Sequence, residues 1–130
     1  MKSNMLFGAA VLGLLTLPVV GFAQSESVSF EDSMKCATVF TYLSDEEEDE
    51  AKSDAYYEQA FAWSKVAGLR DGTSDASRAE DEADAMLDQF VAKMDAMKNK
   101  KAAKAFLTAE VQVCSAKQAM IASEFEARAK

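Results

Sequence analysis

The stretch VQVCSAK, residues 111–117, places Cys114 inside a segment whose apolar residues recur at helical spacing. The only other cysteine in the 130-residue chain is Cys36, and the chain contains no histidine. A catalytic thiol usually needs a histidine base, and a structural zinc site needs four cysteine or histidine ligands. With these sites excluded, and with the export signal described in the next paragraph, two cysteines are most simply one disulfide. We therefore predict a Cys36–Cys114 bridge; two buried free thiols or a reactive thiol are the alternatives.

The N-terminal sequence MKSNMLFGAAVLGLLTLPVVGFAQSES indicates export. Lys2 provides a positive start, an uncharged apolar run covers 5–20, and small residues precede a cleavage site after Ala23. This run is short for a membrane anchor, which needs about 20 apolar residues. Gln24 stands where a lipoprotein would need a cysteine. We predict a signal peptide over 1–23 and one domain over 24–130, exported to the periplasm or the medium and without stable membrane association.

The charge of the chain restricts its class of partner. The chain has 14 basic and 22 acidic residues and a net charge of −8, and cleavage of the signal would remove only Lys2 from this balance. Nucleic acids and anionic membranes both require a positive surface, so neither is an expected partner. A basic protein partner is compatible with the charge, as is a role in solubility alone.

Alanine, glutamate, lysine and methionine dominate the mature sequence, and apolar residues recur every three or four positions, which predicts helices and not strands. We predict four helices, over about 30–43, 45–68, 75–98 and 100–127. Ser29 is expected to cap the first helix, and capping boxes are expected at 44–47 and 77–80. A rotation of the apolar stripe places a turn near Asn99; one long, kinked helix is the alternative.

Short connections make successive helices antiparallel. We therefore predict an all-α fold: a small antiparallel four-helix bundle with up-down-up-down topology, held by one disulfide. In such a bundle the first and fourth helices are neighbours, and the predicted bridge joins the same two helices. Topology and bridge rest on different features of the sequence and agree.

Helix two carries a concentration of aromatic residues: Tyr56, Tyr57, Phe61 and Trp63. They could line a small-molecule pocket between helices, or they could anchor the core of a domain of this size.

Glu110 falls between Phe106 and Cys114 in the apolar stripe of helix four. A buried carboxylate at this position would have a raised pKa and could act as a pH sensor. At the edge of a helix-packing surface it would instead pair with a lysine or an arginine.

The sequence offers no catalytic constellation, no cofactor motif and no metal motif. Without histidine there is no Ser-His-Asp triad and no histidine zinc site, and glycine-rich phosphate loops are missing. The acidic run DEEEDE, residues 45–50, lacks the ligand spacing of a calcium loop and is typical of a solvated helix start. Met94 and Met97 share an apolar stripe and are expected in the core, in preference to a copper site.

The two cysteine-bearing segments, MKCATVFTYL (34–43) and VQVCSAKQ (111–118), are similar in character to those of the HdeA-type periplasmic acid-stress chaperones. Those proteins are small, helical, acidic at neutral pH and held by one disulfide between an early and a late helix. The resemblance is confined to these segments; the spacing between the cysteines looks longer here, and the charge pattern of the first helix differs. It implies an exported helical binding protein as a class.

We therefore expect a small exported, non-catalytic helical protein that acts through protein–protein contact, as an inhibitor or immunity-type binder or as an acid-stress chaperone. A small-molecule carrier with a pocket between helices is the alternative. Because the 22 carboxylates protonate as the pH falls through about 4, partial opening of the fold is expected between about pH 2 and 4.

Overall fold

A computed structural model describes residues 28–73 and 75–129, and within these residues the chain forms helices and no strand. The helices are α1 (Phe30–Glu46), α2 (Glu50–Arg70), α3 (Ser77–Ala96), α4 (Lys100–Met120) and α5 (Ala122–Ala129). The prediction of an all-α fold is confirmed. The predicted signal peptide over 1–23 lies outside the described residues. None of the described helices combines the length and the hydropathy that a membrane span requires.

Local side-chain caps define the starts of α1 and α4. Ser29 caps α1 as expected: its Oγ accepts from the Asp32 N–H at 3.0 Å, and the Asp32 carboxylate accepts from the Ser29 N–H at 3.1 Å. Asn99 caps α4, where its Oδ1 accepts from the N–H groups of Lys101 and Ala102. Each cap pairs helix N–H groups that have no partner within the helix. The cap at Asn99 makes α3 and α4 separate helices.

The junction between α1 and α2 lies later than the sequence predicts. Ser44 does not cap α2; α1 continues to Glu46, and the Asp49 carboxylate caps α2 by accepting from the Lys52 N–H at 3.0 Å. Ser44 and Ser53 instead join the two helices. The Ser44 Oγ donates to the Ser53 carbonyl at 3.0 Å, and the Ser53 Oγ donates to the Ser44 carbonyl at 2.8 Å.

The start of α3 also differs from the expected capping box at 77–80. Its N-cap is Ala76, which has left-handed backbone angles (φ 59°, ψ 26°) and makes no side-chain cap. A carboxylate in the preceding loop takes over this role: the Asp71 Oδ2 accepts from the Ala79 N–H at 3.3 Å, and its Oδ1 accepts from the Thr73 N–H at 2.7 Å. Asp71 lies eight positions before Ala79, outside the spacing of a local capping motif.

The predicted helix over 100–127 is interrupted at Ile121, whose backbone (φ −124°, ψ 37°) is not helical. Beyond this break, α5 turns Phe125 onto Trp63 of α2, with ring centroids 5.0 Å apart in an edge-to-face arrangement. Ile121 and Phe125 are both buried. The break therefore allows the end of the chain to cover the core along α2.

Helix α1 contacts α2, α3 and α4, and α5 contacts α2. Helix α4 runs antiparallel to α1, whereas α3 runs parallel to α1. The pairs that establish these directions are Asp32–Lys117 and Cys36–Cys114 for α4, and Glu31–Arg78 and Tyr42–Phe90 for α3.

The two methionines expected in the core differ in burial. Met94 is buried in a cluster with Val39 and Phe90, as expected. Met97 is half-buried, because it lies at the end of α3, where its backbone leaves the helix.

The predicted disulfide is confirmed. Cys36 and Cys114 are bonded, their Cα atoms are 5.7 Å apart, and both residues are buried. The bond joins α1 to α4 within the apolar cluster that also contains Trp63 and Phe125.

Replacing both cysteines by alanine is expected to lower the free energy of unfolding by about 4 kcal/mol, because the bridge closes a loop across a sequence separation of 78 residues. Urea unfolding followed by circular dichroism at neutral pH measures the change. The matched control is Ser115→Ala, at an exposed position next to Cys114. A loss of less than about 1 kcal/mol in the double variant would contradict a main stabilising role for the bridge.

Candidate functional site

A groove of about 600 Å³ lies between α1, α2 and α3. It is lined by residues within 34–41 of α1, 64–69 of α2 and 79–87 of α3, and by Ala76, the N-cap residue of α3. We call it the three-helix groove. Its volume is in the range of cavities that hold small ligands or anchoring side chains, roughly 300–1,000 Å³.

Small residues create the space in this groove. Ala37 lies on α1, Gly68 on α2, and Ala79 and Ala83 on α3. At one end the walls approach closely, because a Cβ atom added to Gly68 would be 3.4 Å from the Cβ of Ala76. Residues of this size leave room for bulky side chains of a ligand or a partner.

Two threonines of α1 contribute hydrogen-bond acceptors to the groove. The Thr38 Oγ1 donates to the Met34 carbonyl at 2.8 Å, and the Thr41 Oγ1 donates to the Ala37 carbonyl at 2.8 Å. Because a hydroxyl has one proton, each threonine oxygen can then only accept a further hydrogen bond.

The charged residues of the groove are Glu80 and Asp84 on α3 and Lys65 on α2. Neither carboxylate forms an ion pair with a described residue. The Lys65 Nζ lies 4.8 Å from the centroid of the Phe61 ring, at a distance typical of a cation–π contact. The groove lining is therefore negative and rich in acceptors.

Two of the four aromatic residues singled out on helix two are core anchors. Trp63 is fully buried against Phe125, and the ring of the half-buried Tyr56 lies 6.2 Å from that of Phe40. Among the described residues, the buried Trp63 Nε1 has no hydrogen-bond partner. Neither Trp63 nor Tyr56 lines the three-helix groove.

The other two aromatic residues, Tyr57 and Phe61, are 62% and 42% exposed. They do not line the groove either, but their spacing to Ser64 and Gly68 places them on the same face of α2 as its lining. Leu69 lines the groove and is 55% exposed. We call Tyr57, Phe61 and Leu69 the α2 apolar stripe. Between Phe61 and Leu69, the polar residues Ser64 and Lys65 line the groove.

Glu110 lies on α4, one turn before Cys114, outside the three-helix groove. Its side chain is 13% exposed, and its Oε1 is 3.2 Å from the Nζ of Lys35 on α1. The structure thus places the carboxylate beside a lysine at a helix-packing edge, which is the second of the two environments considered for it from the sequence.

Sequence reasoning missed the contacts of Arg70, at the end of α2. Its guanidinium donates to both carboxylate oxygens of Glu124 at 2.8 Å, and its Nε donates to the Val28 carbonyl at 2.7 Å. Arg70 thereby joins α2 to α5 and to the residues before α1. No local pattern could indicate this ion pair, because its partners are 54 positions apart.

Three carboxylates at helix ends have pKa values below their ordinary range. The hydrogen bonds from Arg70 lower the pKa of Glu124, and the backbone N–H of Thr73 lowers the pKa of Asp71. Burial alone raises the pKa of Asp32, but the hydrogen bonds from Ser29 and the charge of Lys117 together outweigh it. Because the folded pKa values are depressed, these groups stabilise the fold above the unfolded pKa, and this stability is lost as the pH falls through the folded pKa.

Glu124→Gln is expected to lower the free energy of unfolding by about 1–2 kcal/mol at pH 7, since a charge-assisted, partly exposed pair is weakened. The deficit should shrink as the pH falls through the folded pKa of Glu124, which lies below the ordinary glutamate value, and should vanish once the wild-type carboxylate is protonated too. Urea unfolding at a series of pH values measures it. Glu126→Gln, at an exposed position on α5, is the matched control. A deficit independent of pH would contradict the assignment to this carboxylate.

Comparisons with protein-family models, with curated proteins and with solved structures found no match to this chain. Within the described residues, no group of three or more cysteine, aspartate or glutamate side chains is placed to hold a metal ion. The three-helix groove is the candidate site, and its lining combines small and apolar residues with the carboxylates of Glu80 and Asp84.

Proposed function

We propose that this chain is a small exported, non-catalytic protein that acts through protein–protein contact. In this proposal α1 to α4 form an antiparallel four-helix bundle, and the three-helix groove receives an apolar segment of a partner protein. The observation that carries the proposal is that exposed apolar side chains accompany the groove: Leu69 lies in its lining, and Tyr57 and Phe61 lie further along the same helix. Large exposed apolar side chains gathered beside a groove are typical of interaction sites.

Export is proposed on two grounds. The N-terminal sequence has the order of a signal peptide, with Lys2, an apolar run and small residues before Ala23. The Cys36–Cys114 bond fits an oxidising compartment such as the periplasm or the medium.

Between an inhibitor or immunity-type binder and an acid-stress chaperone, the groove favours the binder. A binder uses a surface that exists in the folded state at neutral pH, and the groove is such a surface. A chaperone activated by acid would instead use core surface exposed after Asp32, Asp71 and Glu124 become protonated. Partial opening of the fold in acid is expected of an acidic helical protein with or without chaperone activity. Acid opening alone therefore does not distinguish a binder from a chaperone.

A small-molecule carrier is the second candidate, because a groove of about 600 Å³ is large enough for a small ligand. The extent of the apolar surface favours a protein segment. From Tyr57 to Leu69 the stripe spans 12 residue steps of α2, or about 18 Å along the helix axis. A small ligand held in the groove would leave the Tyr57 end of the stripe uncovered.

Ala83→Trp is expected to abolish partner binding, because an indole at this lining position fills the groove while the residue itself is exposed and outside the core. The matched control is Ala85→Trp, at an exposed position of α3 that does not line the groove. Each tagged protein is incubated with the exported protein fraction of the source organism, and bound proteins are identified and quantified by mass spectrometry.

A stoichiometric protein retained by the wild type and by Ala85→Trp, but lost with Ala83→Trp, supports the proposal. A small molecule with the same dependence, detected by native mass spectrometry of the purified protein, would establish the carrier instead. If the two tryptophan variants retain the same proteins and small molecules as the wild type, the groove is not the functional site.

A further inference from the structure

We propose that the segment received by the three-helix groove is a cationic amphipathic α-helix of a basic partner protein. This inference rests on the proposed function and names the chemistry of its partner. It depends on three properties of the groove: the hydrogen-bonding capacity of its walls, the position of its charges, and its length.

The hydrogen-bonding capacity of the groove favours a helical occupant. The described residues contain no strand, so no strand edge is present there to pair with an extended peptide. Thr38 and Thr41 have given their hydroxyl protons to their own helix and offer only acceptors. Apart from Ser64 and Lys65, the polar side chains of the lining can only accept, so most C=O groups of an extended segment would find no donor there. An α-helix pairs its own N–H and C=O groups internally.

The charges of the groove favour a cationic occupant. Glu80 and Asp84 lie one turn apart on α3, are exposed, and have no ion-pair partner among the described residues. Lys65 lies on the opposite wall, with its ammonium group over the Phe61 ring. Lysine or arginine side chains of a partner helix would therefore find free carboxylates along the α3 wall. The net charge of −8 adds long-range attraction to a basic partner.

The length of the groove matches about three helical turns. From Ala76 to Leu87 the α3 wall spans 11 residue steps, or about 16 Å along the helix axis. A helix laid along it would present apolar side chains at positions i, i+4 and i+7 to the small residues Ala37, Ala79 and Ala83. The α2 apolar stripe would contact the same apolar face where it emerges from the groove.

The test uses synthetic helical peptides of about 18 residues that share one leucine face and carry lysine, glutamine or glutamate on the other. Their affinity for the mature, oxidised protein is measured by isothermal titration calorimetry at about 0.15 M salt, where long-range charge effects are screened. The lysine peptide is expected to bind at least about tenfold more tightly than the glutamate peptide. Ala83→Trp is expected to abolish its binding.

Two charge-neutralising double variants separate the groove from the overall charge of the protein. E80Q/D84N removes the free carboxylates of the groove and is expected to weaken binding of the lysine peptide roughly tenfold. D81N/D88N removes the same charge from exposed positions of α3 outside the groove lining, and it is expected to weaken binding less than about twofold. Circular dichroism verifies that both variants fold.

Equal losses in the two double variants would overturn the inference, because overall charge would then explain the binding. Equal affinity for the lysine and glutamine peptides would also overturn it. If Ala83→Trp abolished the binding of both peptides in that case, the proposed function would still stand. If no peptide binds at about 1 mM, the cationic helix is rejected, and the partner-capture experiment with Ala83→Trp decides the proposed function separately.

Discussion

The disulfide between Cys36 and Cys114 is the constraint on which the rest of this structure depends. It fixes one face of α1 to α4 within the core. Helical spacing places Ala37, Thr38 and Thr41 on the other side of α1, where they line the three-helix groove. The same helix is thus clamped on one face and offers the other for binding.

Polar contacts near the closed end of the groove complement the disulfide. Arg70 holds the end of α2 to Glu124 of α5 and to the Val28 carbonyl, and Asp71, the next residue, caps α3 through the Ala79 N–H. Side-chain contacts therefore join the helices where the backbone changes direction. Two of these side chains, Asp71 and Glu124, are carboxylates with lowered pKa values. Acid would weaken this end of the molecule while the disulfide continued to join α1 to α4. The partial opening in acid that the composition predicts is therefore expected to begin near Asp71 and Glu124.

Much of the fold could be predicted from the sequence, because its signals are local. Helical periodicity, the cap at Ser29, the turn near Asn99 and the pairing of the only two cysteines depend on short spacings or on elimination. The break at Ile121 was missed, since neither glycine nor proline marks it. The cap on α3 was missed because Asp71 lies eight positions before Ala79. The groove was missed for a different reason: its alanines, Gly68 and threonines have no amphipathic pattern, and only packing of three helices brings them together. Among the aromatic residues of helix two, helical spacing places Trp63 and Tyr57 on different faces, but only the packing shows that the face of Trp63 is buried and that of Tyr57 is exposed.

The most direct test of the central claim is a map of the binding surface in solution. Amide chemical shifts of the ¹⁵N-labelled mature protein are recorded by NMR during titration with the lysine-bearing helical peptide. The account predicts the largest shifts at groove residues such as Gly68, Ala79 and Ala83 and along the α2 apolar stripe. Exposed apolar residues also occur on α4, at Val113 and Met120. If the largest shifts occurred on α4 and the groove residues did not change, the assignment of the three-helix groove as the binding site would be contradicted.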